Sequence, residues 1–484
     1  MGNEAHGPQQ AARHQTPLVG DETAASSVLE NTYSLCPVCM KKIPAAYLQE
    51  EGAVYLDKTC AEHGHWHTLV WEEGPDFSTW DSGVVYSRPA NATKTPELGC
   101  PYDCGLCSQH AQAACCVLIE ITQRCNQACP YCFASSTSGP EGTGDYTLEE
   151  MENIFRHLQT QSPQNQFNIQ LSGGEPTLHE DLPQIISMAK HMGFPYVQLN
   201  TNGKRLAEEP AYAQELQKAG LDSVFLQFDG TNDTIYTAMR GQPLFAQKEQ
   251  AIDHCASAGL GVVLVVTVVK EINGGNIGEV LRYASGRLPL VNGVHFQPVS
   301  YFGRFPTEPR NSERVTIPGL FQLIHEQTDG LMSADDFVPL ASGHGRCSFH
   351  GNFLLSAEGG YQGLSGKNEE EGAHKIEKAR AYLAKKWGAP KAAKCCCEEE
   401  PDPLSTYGSS AFDVEEWDSL LDTLLDATLN LTAMAFQDIW TVDLKRLNRC
   451  RLHVATRDLE LIPFCAFNLT SQDGKRLHSE IGRN

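Results

Sequence analysis

Residues 100 to 134, CPYDCGLCSQHAQAACCVLIEITQRCNQACPYCFA, hold eight of the chain's 18 cysteines. Within them, Cys125, Cys129 and Cys132 form a CxxxCxxC run directly after a strand-like segment. Three thiolates on one loop can hold three irons of a 4Fe–4S cluster and leave the fourth iron open to a ligand, since cysteine thiolate is the usual protein ligand of such clusters. A structural zinc site closes with four ligands, so three alone are incomplete. Cys100, Cys104 and Cys107 repeat the spacing just ahead of the loop. They predict a second iron–sulfur cluster, with a zinc knuckle as the alternative, because thiolates alone do not separate the two metals.

Cys36, Cys39, Cys60 and His63 read as C-x2-C followed by C-x2-H, a closed mononuclear site for zinc or iron, with His65 as the rival fourth ligand. Cys347, Cys450 and Cys465 are distant in sequence, and the last two flank a predicted hairpin. Brought together, they could hold a further cluster. Cys395, Cys396 and Cys397 are consecutive. Neighbouring side chains on an extended chain point to opposite faces, so at most one of them is expected to join a site. Cys115, Cys116 and Cys255 fit small apolar packing positions.

The chain has 484 residues and a formal charge of −23. That argues against a nucleic-acid partner, which would need Lys and Arg for its phosphates. The longest apolar run, Gly261 to Val269, is far short of the ~20 residues of a membrane span and reads as a buried strand. The first 32 residues are polar and expected to be disordered, and they lack the apolar core of an export signal. A cytoplasmic location follows as the expectation. Thiols stay reduced there, which favours metal over disulfides.

The elements that must position these cysteines follow as a regular alternation. Strand-like CVLIEIT (116–122), FNIQLSGGEP, YVQLNTNG, SVFLQFDG, VVLVVTVVK and GVHFQPVS are separated by helical patterns over 147–161, 181–192, 211–219, 246–258 and 276–284, and a helix over 318–328 follows. Thr147 and Glu150 make a capping box at the first helix. Six strand–helix units predict an α/β fold with a parallel sheet closed into a partial (β/α)6 barrel.

An N-terminal metal-binding domain over 33–96 and a cluster segment over 97–115 precede the barrel, which spans 116–330. A stretch of uncertain structure covers 331–411, with helix-forming sequence over Lys367 to Trp387. A C-terminal region over 412–484 is expected to be helical from Trp417 to Phe436 and to carry the last two cysteines.

Polar groups and glycines collect at the predicted C-terminal strand ends, where such folds place their sites. They are Gly173, Gly174 and Glu175, then Asn200 and Asn202, then Asp229, Thr267 and Gln297. The two glycines would let the backbone approach a ligand, and Glu175 could accept from an ammonium.

Taken in order, CNQACPYCFA, SGGEPTLHEDLP, QLNTNG, LQFDG and HFQPVS resemble the radical S-adenosylmethionine (SAM) superfamily. The resemblance implies that Cys125, Cys129 and Cys132 hold the radical cluster and that its open iron chelates the methionine end of the cofactor. Gly173, Gly174 and Glu175 would contact the methionine amine, the later strand ends the ribose and adenine, and Phe133 would pack beside the adenine. One electron, from a donor such as ferredoxin or flavodoxin, would then release a 5′-deoxyadenosyl radical. The hard chemistry is the cofactor's.

A narrower pattern, CPxC, KxCxEHG, CPYDCGLC and a terminal RC…IPFC, is similar to tetraether lipid synthase and its relatives. It implies one, two or three 4Fe–4S clusters, a mononuclear iron or zinc, and carbon–carbon coupling of lipid chain ends, with peripheral membrane contact. Where that pattern has two adjacent cysteines, this chain has Cys450-Arg451. Two alternatives stand beside lipid coupling. One is radical methylation of a small heterocycle such as a reduced pterin, which needs a compact polar pocket. The other is an iron–sulfur electron carrier. Tyr131 and Tyr301 lie near the right strand ends, without an assigned role.

Overall fold

The computed structural model describes residues 26–478 apart from 83, 85–87, 90, 93–94, 137–143, 163–166, 341–343, 357–359 and 365–425. Cys395, Cys396 and Cys397 and the helix expected over Lys367 to Trp387 lie outside the described residues.

The chain opens with a four-stranded antiparallel meander of β1 (Ser27–Leu35), β2 (Lys42–Glu50), β3 (Ala53–Cys60) and β4 (Gly64–Trp71). Order therefore begins before residue 33. Ser27 to Glu30 pair with Gln49 to Tyr47, and those backbone bonds outweigh the polar composition on which disorder was expected. Ile43, Ala45 and Tyr47 on β2 and Val54, Leu56 and Cys60 on β3 are buried at alternate positions, the period-two pattern of a half-buried sheet.

The second sheet has eleven strands. Its centre is the expected parallel series of β5 (Cys116–Thr122), β6 (Asn168–Gly173), β7 (Tyr196–Thr201), β8 (Ser223–Gln227), β9 (Gly261–Val268) and β10 (Val291–Pro298). The intervening helices fall within a residue or two of expectation, for example Leu148–Gln161, Leu182–His191, Phe245–Ser257 and Ile317–Gln327. The capping box forms as read, with Thr147 and Glu150 exchanging bonds. Short helices Lys204–Glu208 and Asp233–Arg240 were not anticipated, being too brief to show a period.

The sheet continues beyond these six strands at both edges. β11 (Ser348–Leu355) and β12 (Tyr361–Gly363) run antiparallel to their neighbours, β13 (Thr428–Met434) is parallel to β10, and β14 (Leu452–Ala455) with β15 (Leu461–Pro463) flanks β5. The helix expected through to Phe436 is corrected here, because its second half is strand. TLNLTAM alternates polar and apolar residues, and pairing on both sides selects the extended form over helical composition.

The two faces of this sheet differ. Val117, Ile119 and Ile121, then Ile169 and Leu171, Val197 and Leu199, Val224 and Leu226, Val262 and Leu264, Val294 and Phe296, and Leu429 and Leu431 join one apolar core with the helices. The alternate residues line the interior of the partial barrel and are largely polar. One row runs in register through Gln227, Val265, His295, Thr432 and His350 across five strands. Two further rows set Glu120 beside Ser172 and Gln170 beside Gln198.

Candidate active site

The cysteine loop leaves the end of β5 and is fastened from several directions. Gly174 donates its N–H to Thr122 O at 2.8 Å, and Glu175 donates to Arg124 O at 2.7 Å. A Cβ on Gly173 would sit 2.2 Å from Thr122 O, and one on Gly174 would sit 2.1 Å from Arg124 O. These glycines are therefore required by contact with the start of the loop.

Arg304 closes the other side. It exchanges backbone bonds with Cys132 at 2.9 Å each way and donates from Nε to Cys129 O at 2.8 Å. Gly303 lies so close that a Cβ would stand 2.5 Å from Phe133 O. Asn202 Nδ2 donates to Asn126 Oδ1 at 2.8 Å.

The three thiols share one environment. Burial pushes Cys125 up to about 12, helped by the Glu175 carboxylate and then by Cys129 and Cys132. Burial also raises Cys129, opposed by the Arg240 guanidinium. Such thiols bind as thiolates only when a metal supplies the compensating charge, so the donor set fits a cluster.

Several residues expected at the cofactor also bond within the protein. Glu175 is 1% exposed. Its carboxylate accepts from Thr177 N (3.1 Å), Thr177 Oγ1 (2.6 Å), Thr201 Oγ1 (2.6 Å) and Asn202 N (2.7 Å). Three of these bonds fall on Oε1 and one on Oε2. Asp229 is 0% exposed and pairs with Arg240 at 2.6 and 2.7 Å.

Arg240 passes that anchoring to the cysteine loop through Tyr131 O at 3.1 Å and reaches Thr267 Oγ1 at 3.2 Å. Phe133 is 38% exposed and sets its ring against Phe464 at 5.7 Å. Asn200, Thr267 and Gln297 remain on the interior face and keep partial exposure.

The sequence reading missed Arg240, Arg304 and Lys248. Lys248 is 1% exposed and donates to Asn202 O at 2.5 Å and Gln227 Oε1 at 2.9 Å, and burial lowers its ammonium to about 7. No motif marks these residues. The signal for Arg240 was a charge beside a capping glycine, which is common in helices that bind nothing.

The N-terminal sheet brings Cys36, Cys39, Cys60 and His63 together, with all ligand atoms within 4.8 Å of one another. His63 Nδ1 faces Cys36 Sγ at 3.6 Å and Cys60 Sγ at 3.5 Å. His65 is engaged elsewhere, by Asp57 at 2.6 Å. Four N and S donors in this spread fit one tetrahedral ion.

The ribbon docks on the segment after β13 through buried polar contacts. Tyr47 donates to Asp443 Oδ2 at 2.8 Å, and Lys58 donates to Ile439 O at 2.8 Å. That segment leads to Cys450 and Cys465. Burial raises the Cys465 thiol well above its ordinary range, and Cys450 and Cys347 raise it further. Arg446 Nη2 lies 2.9 Å from Cys347 Sγ. Cys450 and Cys465 flank the β14–β15 hairpin as expected. Cys104 packs in the same apolar cluster as Cys465, with Cys100 against it. A hydrogen bond with Cys104 lowers the Cys100 thiol. Cys107, 9% exposed, accepts from His110 N at 2.9 Å through its carbonyl. Cys115 and Cys255 are buried as packing residues. Among the described residues, no helix is long and apolar enough to cross a membrane.

Comparison with known proteins agrees with this arrangement. The radical SAM superfamily model matches residues 119–284, and the model described as the HMPTM N-terminal zinc ribbon domain matches residues 28–72. The 7,8-dihydro-6-hydroxymethylpterin dimethyltransferase of Methanocaldococcus jannaschii is 33% identical over 91% of this chain and 93% of its own length. A probable GTP 3′,8-cyclase of Sulfolobus acidocaldarius is 31% identical over 37% of this chain and 56% of its own. The solved structure of native anSMEcpe with bound AdoMet and Cp18Cys peptide is 19% identical and covers 44% of this chain and 58% of that one, with a TM-score of 0.35. A one-third identity that runs from the ribbon through the barrel to the terminal cysteines is more than one shared domain: the chain belongs to the radical SAM superfamily, in the family of the M. jannaschii protein.

Proposed function

We propose that this chain is a radical SAM methyltransferase whose substrate is a small reduced pterin. The observation that carries this reading is the polar interior of the barrel. Gln170, Gln198, Asn200, Gln227, Gln297, Asn430, Glu120, His295 and Thr432 all lie on the face opposite the apolar core. Amide, hydroxyl and imidazole groups complement a heterocycle rich in ring nitrogens and carbonyls, whereas a lipid alkyl chain offers their remaining donors and acceptors nothing. The relative matched over nearly the whole chain is named for a pterin. Coupling of lipid chains, implied by the resemblance to tetraether lipid synthase, has no such support, and neither has membrane contact.

In this reading Cys125, Cys129 and Cys132 hold the radical cluster, and Gly173, Gly174, Asn200, Thr267 and Gln297 bound the cofactor space. Cys100, Cys104 and Cys107 hold an auxiliary cluster, and Cys347, Cys450 and Cys465 a second. Cys36, Cys39, Cys60 and His63 hold one zinc or iron. When bound, the radical cluster and S-adenosylmethionine supply a 5′-deoxyadenosyl radical, with the electron coming from a ferredoxin or flavodoxin. The protein holds the cysteine loop rigid through Arg304, Arg240 and the glycine segment, and it orients the substrate with interior amides.

Expression in a bacterial host followed by mass spectrometry of the pterin pool tests the reading. Singly and doubly methylated pterins are expected, and they should vanish in Cys129→Ala. An unaltered pterin pool in cells that hold cluster-loaded protein, or coupled chains in their lipid extract, would sink it.

A further inference from the structure

β13 adds a wall to the barrel that the six-strand series lacks. On it Thr432 stands opposite His295 of β10, and Asn430 stands opposite Gly293. His295 is 8% exposed, with Nδ1 held 2.7 Å from Thr432 Oγ1 and its ring tilted against Phe225 at 5.7 Å. Among the described residues Nε2 has no partner. Asn430 donates to Asn352 Oδ1 at 2.8 Å, and its own Oδ1 is buried without a partner. A buried polar atom left unpaired costs about 1–3 kcal/mol, so the buried Asn430 Oδ1, with the unpaired His295 Nε2 on the same wall, points to a missing ligand. No ionic group stands in this row of Gln227, Val265, His295, Thr432 and His350. Burial lowers the His295 imidazolium to about 4, which keeps the ring neutral and leaves it one donor and one acceptor nitrogen.

We propose that His295 and Asn430 read the lactam edge of the substrate, with His295 Nε2–H donating to the ring carbonyl and Asn430 Oδ1 accepting from the adjacent ring N–H. This rests on the pterin reading and deepens it, by naming the edge that is recognised and the strand that recognises it. Thr432 is the positioning residue: its hydroxyl donates to Nδ1 and so fixes the proton on Nε2. The ligand is thereby a neutral, planar lactam, with no phosphate or carboxylate at this wall. Donor facing carbonyl and acceptor facing N–H is a complement that an amino-for-oxo replacement inverts, and inverted pairs are rejected because both partners lose their bonds.

The test is equilibrium binding to the anaerobic, cluster-loaded full chain, followed by pterin fluorescence. The probes are 6-hydroxymethyl-7,8-dihydropterin and its 2,4-diamino analogue, with S-adenosylmethionine binding measured alongside. The wild type should prefer the oxo compound by at least about tenfold. His295→Leu should lose that preference while S-adenosylmethionine binding is unchanged. Thr432→Val should weaken the preference, and Thr432→Ser should restore it. If His295→Leu fails to fold, His295→Phe carries the same readout.

Preference for the oxo compound that survives in the His295 variants overturns the inference and leaves the pterin reading standing. A reversed preference in the wild type overturns the donor assignment of Nε2. A wild type that binds neither pterin brings down both.

Discussion

The ribbon gathers its four donors from two turns of one small sheet, whereas the cysteine loop of the barrel is held by groups from across the chain. Cys36 and Cys39 lie in the β1–β2 turn, Cys60 ends β3 and His63 lies in the β3–β4 turn, so pairing of neighbouring strands is enough to bring them within 4.8 Å. The barrel loop depends on Gly174, Asn202, Arg240 and Arg304, which lie between 42 and 179 residues beyond its last or first cysteine. A local site can fold around its ion as a unit. A distributed site forms only when the sheet has assembled, and it then inherits the rigidity of that sheet.

The sharpest way to break this contrast is Gly174→Ala. The added methyl would meet the Arg124 carbonyl at 2.1 Å, backbone against backbone, with no flexible side chain to give way. A cost of about 3 kcal/mol or more is expected. Iron and sulfide analysis should show the radical cluster lost while the ribbon ion remains. Retention of the full iron content would show that the loop does not depend on the glycine segment.

Cys60→Ser tests the other half. About one metal ion per chain should disappear from elemental analysis, with S-adenosylmethionine binding retained. If cofactor binding fell in parallel, the two regions would be coupled, and the buried contacts of Tyr47 and Lys58 to residues 439–443 would be the route. The smallest effect is expected for His65→Ala. His65 is partly exposed and pairs with Asp57, so metal content should match the wild type. A lost ion there would reassign the fourth ligand.

The same contrast explains what could be read in advance. The spacing of Cys36, Cys39, Cys60 and His63 reports a site because their contacts are local. The six parallel strands were legible from their β-branched runs, and the helices from their apolar period. Glu175 and Asp229 mark where spacing stops informing, because a carboxylate at a strand end reads alike whether it faces a ligand or a neighbour. Their partners, Thr201 and Arg240, lie in other elements. β13 was legible in part: TLNLTAM carries a two-residue alternation, but the apolar helix-like residues before it masked the change of period.

Residue type and spacing by themselves determined the class of chemistry: a cysteine loop after a parallel strand, glycines at the next strand end, and a separate closed metal site. Those features depend on short-range geometry, which spacing encodes directly. Tertiary structure alone decided which polar groups are spent on the fold and which remain for a ligand. That division depends on hydrogen bonds between residues tens to hundreds of positions apart, such as His295 with Thr432 and Arg304 with Cys129. A polar group's role is set by whether those distant partners satisfy it, and a linear pattern carries no record of that.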